Sequence, residues 1–233
     1  MSIRGIRLIQ PTDIGYRRFL NYIRTNQCRS EMPDPLASAY NKSLLRWEKY
    51  VKQILADRFP RCEKRILNYR ESLSCRRERH CYREIDFIAG NPERPDFFVE
   101  IKLRERSTSN HGWRQLGQSL HVARKVWPQL RGVVVYVEMS GILRLPCIRR
   151  SDITELDRLS ACDFETNAER PVVWLRGEDV AAYAVDQGFA TREEIAELPR
   201  IREEMHDPLK VLNVKSPIPD RSPFQGLLAR IAS

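Results

Sequence analysis

Residues 133–137 read Val-Val-Val-Tyr-Val, an unbroken β-branched and aromatic run. Such a run is typical of a strand buried on both faces, and covering both faces takes helices on each side. The chain is therefore expected to be α/β, and the flanking segments supply the rest. In 43–59, Ser43 can cap a helix, Leu44, Trp47, Val51, Ile54 and Leu55 recur every three or four residues, and Pro60 stops it. A second helix is expected over 113–127, with Trp113, Leu116, Leu120, Ala123, Val126 and Trp127 inward. Between them lie three strand candidates, 65–70, 82–89 and 96–103, the last two joined by a turn at Gly90, Asn91, Pro92 and Pro95. After Ser140-Gly141, 142–148 is expected to add an antiparallel strand. The order is helix, three strands, helix, strand, plus one.

This core, 43–150, carries additions on both sides. Residues 1–42 form a basic N-terminal extension. A short helix over 13–26 places Arg17, Arg18 and Arg24 among Ile14, Phe19, Leu20 and Ile23, and 30–36, with Pro33 and Pro35, reads as a linker. Residues 151–233 form an acidic lobe with a proline-containing tail. It has a strand at 171–175, a helix at 178–187 closed by Gly188, a capping box at Thr191 and Glu194, and Pro208, Pro217, Pro219 and Pro223 beyond. The lobe is either a docking surface or a cap that finishes the core.

Charge divides the same way. The 233 residues carry a net charge of +9, but residues 1–150 hold 30 basic and 15 acidic side chains. Arg outnumbers Lys 32 to 8, and guanidinium groups match phosphate oxygens in a bidentate way. The expected partner is a polyanion, most simply nucleic acid. No apolar run is long enough for a membrane span and 1–10 lacks a secretory signal, so no membrane and a cytoplasmic location are expected. The six cysteines form no Cys-x-x-Cys pair. Cys62, Cys75, His80 and Cys81 could ligate zinc, but their irregular spacing favours buried free thiols.

The chemistry concentrates in Glu84-Ile85-Asp86-Phe87 and Val99-Glu100-Ile101-Lys102. At a period of two, Ile85, Phe87, Val99 and Ile101 face one way and Glu84, Asp86, Glu100 and Lys102 the other. Charges on a central strand need compensation, because burying them unpaired costs several kcal/mol. Mg²⁺ supplies it, since it takes carboxylate oxygens and keeps several waters. A lysine two residues after a ligand can hold the attacking water and offset phosphate charge.

Asp86, then thirteen residues, then Glu100-Ile101-Lys102, borne on strands, resembles the PD-(D/E)XK nuclease superfamily, with the restriction-endonuclease-like fold. Glu-Ile-Asp-Phe-Ile-Ala and Phe-Phe-Val-Glu-Ile-Lys look especially like its Holliday-junction-resolvase-like branch. The resemblance covers about 43–138, and Ile85 stands where the name motif has proline. It implies a mixed sheet flanked by helices and a Mg²⁺-dependent endonuclease acting on DNA, with Mn²⁺ as a substitute metal. Asp86, Glu100 and the Ile101 backbone carbonyl would be ligands, and Lys102 the catalytic lysine. Glu48 on the first helix matches a further acidic ligand, with Glu84 as rival or addition. Gln115 and Gln118 match a second-helix glutamine of some branches. Arg104, Arg106, Arg114 and Gln118 are the expected nucleic-acid contacts; His111 and His121 are weaker candidates for touching a phosphate. Nucleases of this fold are often dimers. The alternative is a catalytically silent nucleic-acid-binding or assembly subunit of a repair, restriction, transposition or defence complex.

Overall fold

The computed structural model describes residues 2–27, 34–74, 77–104, 111–146, 153–156, 159 and 171–206. Arg106, Cys28, Cys75, Cys147, Cys162 and the tail from 207 lie outside them, and the His111 side chain is also not described. The chain is α/β, with a mixed sheet and an antiparallel sheet. In order the elements are β1 (Ile3–Ile9), α1 (Ile14–Gln27), α2 (Pro35–Arg58), β2 (Ile66–Ser74), β3 (Arg77–Glu84), β4 (Phe87–Asn91), β5 (Arg94–Arg104), α3 (His111–Ala123), β6 (Arg131–Glu138), β7 (Val172–Arg176), α4 (Gly177–Asp186) and α5 (Arg192–His206).

The mixed sheet runs β4-β5-β6-β7. β4 and β5 form the expected hairpin, while β5, β6 and β7 are parallel. Alternation sorts its side chains. Val99, Ile101, Val133, Val135, Val173 and Leu175 enter one core with Trp47, Val51 and Ile54 of α2, Val180 of α4 and Leu198 of α5. Phe98, Val134, Tyr136 and Trp174 enter the other, with Leu116 and Leu120 of α3. The 133–137 run is thus buried on both faces. Gly132 lets α3 lie close, since a Cβ there would sit 2.4 Å from Leu120 Cδ1.

Several boundaries differ from the sequence reading, each for an identifiable reason. The first long helix begins at Pro35, not Ser43. Asp34 caps it, accepting from Leu36 N–H at 3.0 Å, and Pro35 occupies the first turn, where no amide is needed. The second ends at Ala123, ahead of Pro128; Val126 and Trp127 follow it, and Trp127 Nε1–H donates to Glu93 O at 2.9 Å. No strand forms at 142–146. Both edges of β6 are already taken, by β5 and β7, and 140–144 turns instead, burying Leu143. β7 extends the sheet and α5 packs on the α2 side, so 172–206 completes the core. The Thr191 and Glu194 box forms as expected: Thr191 N–H donates to Glu194 Oε2 at 2.9 Å, and Glu194 N–H to Thr191 Oγ1 at 3.2 Å. Thr191→Ala should cost about 1 kcal/mol, read as an earlier urea midpoint at unchanged slope.

The larger correction is at 82–89, which is not one strand. β3 belongs to a separate antiparallel sheet, β1-β2-β3, and β4 to the mixed sheet. The chain crosses between them at Ile85–Asp86. Ile85 N–H still donates to Arg65 O at 3.0 Å, whereas from Phe87 onward the ladder is with β5. The crossing resets the side-chain parity. Ile85 therefore joins Ile88 and Phe98 in the α3-side core, not Phe87 and Val99.

Candidate active site

The crossover places the chemistry. The β4–β5 ladder ends at the Phe87 and Val99 pair, which leaves the amide of Ile101 without a strand partner on that side. Asp86 takes it: Ile101 N–H donates to Asp86 Oδ2 at 2.8 Å. The carboxylate is thereby held beside β5, next to Glu100.

Glu100 projects toward the α3 side and is only 8% exposed. Its charge is met by Lys102, whose Nζ lies 2.5 Å from Glu100 Oε1. The two share a strand face two residues apart. Lys102 lies under the start of α3, where a Cβ on Gly112 would come within 3.3 Å of its Cγ. Glycine at 112 keeps that approach open.

α2 contributes from its flank. Glu48 and Lys52, one helical turn apart, are ion-paired, and Lys52 Nζ lies 3.9 Å from Asp86 Oδ1. Glu48 is thus the additional carboxylate near Asp86. Glu84 is elsewhere: Arg65 Nη1 pairs with it at 2.7 Å and Tyr16 Oη–H donates to it at 3.1 Å. Burial and that carboxylate push the Tyr16 hydroxyl up to about 12. Lys52 escaped the sequence reading, though its spacing of four from Glu48 was a signal.

The cluster is therefore Asp86, Glu100 and Glu48 with Lys52 and Lys102. Burial first, then the neighbouring charges of Glu100 and Glu48, push the Asp86 carboxyl up to about 6. The Ile101 amide and Lys52 pull the other way and lose. Crowded carboxylates with an excess of negative charge are a donor set suited to a hard divalent cation. Among the described residues no three His, Cys, Asp or Glu side chains are gathered as they stand to enclose a metal; the ammonium groups of Lys52 and Lys102 pair with these carboxylates.

The expected nucleic-acid contacts scatter differently. Arg104 follows Lys102 on the same strand face. Its guanidinium lies 5.2 Å from the Tyr136 ring centroid, with Nε and Nη2 buried and without a hydrogen-bond partner among the described residues. Arg114 and Gln115 are exposed on α3, as is His121. Gln118 accepts from Arg83 Nη1 at 3.0 Å, which ties α3 to β3. Cys62 and Cys81 are buried free thiols, both pushed up by burial.

No protein-family model, curated protein or solved structure matches this chain. Among the described residues no helix is long and apolar enough to cross a membrane.

Proposed function

We propose that this chain is a Mg²⁺-dependent nuclease that hydrolyses DNA phosphodiester bonds on a restriction-endonuclease-like core. The observation that carries the reading is the meeting of Asp86, in the crossover just before β4, with Glu100 and Lys102 of β5, with Glu48 beside Asp86 from the preceding helix. The element order departs from that core in one respect: four strands, β2 through β5, stand between α2 and α3 where it has three, and β2 and β3 lie in a separate sheet.

Asp86, Glu100 and the Ile101 carbonyl, with Glu48, would hold the metal. Bound there, Mg²⁺ supplies Lewis-acid activation of water and charge neutralisation at phosphate. Lys102 would orient the attacking water and offset charge on the phosphate, and Lys52 would hold Glu48 and Asp86 in place. Arg104 lies on the same face, with Nε and Nη2 buried and unpartnered among the described residues, and would meet a phosphate oxygen only by turning outward.

A silent nucleic-acid-binding subunit is the second reading. It draws on the pairing of Glu48 and Glu100 with lysines, which leaves those two compensated without a metal. Incubation with linear duplex, nicked, single-stranded and four-way-junction DNA in Mg²⁺, Mn²⁺ or EDTA separates the two. The nuclease reading expects product on at least one substrate with either metal and none in EDTA. Intact substrate throughout, with binding retained, would favour the silent subunit.

A further inference from the structure

We infer that the outer face of the β1-β2-β3 sheet is a docking surface for the sugar–phosphate backbone of nucleic acid. The inference rests on the nucleic-acid partner proposed above, but not on the carboxylate site. Its basis is the register. Arg4 lies directly opposite Arg70, and Arg70 directly opposite His80. Residues directly opposite point to one face, so all three strands contribute a cationic or titratable nitrogen side chain to a single row. All three are exposed.

A bulge in β1 adds to the row. Arg7 pairs with Asn68, so three residues of β1 span what two residues of β2 span, and Gly5 absorbs the extra one at φ 61°. Without the bulge Arg4 and Arg7 would point to opposite faces. With it both join the face of Arg70. Like charges directly opposite one another weaken a sheet, so this arrangement is intrinsically unfavourable until an anion sits on it.

The neighbours do not neutralise the face. Glu78 is the acidic side chain beside the row, 3.7 Å from Arg70, and that pair is about half exposed on both sides. Glu84, further along, is held by Arg65 and Tyr16. The far end of the face is covered by α1, where Tyr16 packs with Ile9 and Ile66, with Phe19 and Tyr82 beside them. α1 carries its own exposed Arg17, Arg18 and Arg24. Strands about 4.8 Å apart make the row about 10 Å wide, room for phosphates in succession. Exposed guanidinium groups suit backbone contacts that carry no base sequence.

The test is fluorescence anisotropy of the full chain with a short labelled duplex in EDTA, across a salt series. Arg4→Gln/Arg70→Gln should weaken binding roughly tenfold or more near physiological salt. It should also reduce the slope of log K against log salt by about 2, the loss of two phosphate contacts. The melting temperature should hold or rise, because two opposed cations are gone. Arg94→Gln/Arg192→Gln makes the same charge change at exposed positions elsewhere and should leave the slope unchanged. An unchanged slope in the first variant, an equal loss in the control, or no salt-dependent binding by the wild type would overturn the inference. So would displacement of the duplex by polyglutamate as readily as by unlabelled DNA, which would indicate an acidic protein partner. The two readings fail separately. Wild-type cleavage with undiminished binding by the double variant removes this face alone; binding through the face without cleavage in Mg²⁺ removes the nuclease alone.

Discussion

Lys102→Gln should lower Mg²⁺-dependent DNA cleavage by about 100-fold or more at saturating DNA, the scale of losing one electrostatic stabiliser from an active site. Lys102 is the cation nearest Glu100, at 2.5 Å, and lies under the opening turn of α3. Glutamine keeps most of the side chain's length and removes its charge, so the loss reports on charge at the reacting phosphate. Binding should change little, because affinity comes from dispersed backbone contacts. Asp86→Asn should lower cleavage on the same scale but respond differently to metal. Excess Mn²⁺ should partly restore Asp86→Asn, whose defect is in holding the cation, and should not restore Lys102→Gln. Quenched-flow or gel assays of both variants over a metal series check this. Wild-type rates in both would move the active site elsewhere.

Asp86→Asn should also stabilise the metal-free protein at neutral pH. The carboxyl titrates at about 6 in the folded chain, against an ordinary value of 3.8. The folded state therefore holds this proton more tightly than the unfolded state does. Between about pH 4 and pH 6 stability falls as pH rises, and above pH 6 the whole difference has been lost. Two pH units correspond to as much as about 3 kcal/mol. The variant keeps an acceptor for the Ile101 amide and has no charge to bury. Its melting temperature in EDTA should exceed that of the wild type by roughly 5–10 °C at pH 7.5. The gap should close toward pH 4, where Asp86 is protonated in both states. Mg²⁺ should raise the wild-type melting temperature and leave that of Asp86→Asn nearly unchanged. Thermal unfolding over a pH series reads all three; a variant less stable than the wild type at pH 7.5 would contradict the account of Asp86.

Period-two alternation in 96–103 and the Val-rich run at 133–137 were enough to place β5 and β6, and with them Glu100 and Lys102. The apolar spacing of Trp47, Val51, Ile54 and Leu55 located the buried face of α2, and Glu48 on its flank followed. Alternation failed where the strand itself failed. It carried straight through Ile85 and Asp86, because nothing local marks the change of partner from β2 to β5. Asp86 still reaches Glu100, but by capping a bare amide rather than by sharing a pleat. β1 was missed because Arg4 and Arg7, three apart across a bulge, break the alternation that would have revealed it. Pro35 was read as a linker residue, although Asp34 before it is the capping signal that makes proline welcome in a first turn. The spacing of Lys52 from Glu48 is legible, but its contact with Asp86 is not, since it joins residues 34 apart in the chain.

The most direct measurement of the central claim is anomalous scattering from crystals of the full chain soaked in Mn²⁺. The account predicts a peak bounded by the Asp86 and Glu100 carboxylates and the Ile101 carbonyl, with Glu48 within reach, directly or through water, Lys52 still beside Glu48, and Lys102 drawn off Glu100. A fully soaked crystal with no peak there, and with Lys102 still paired to Glu100, would contradict it.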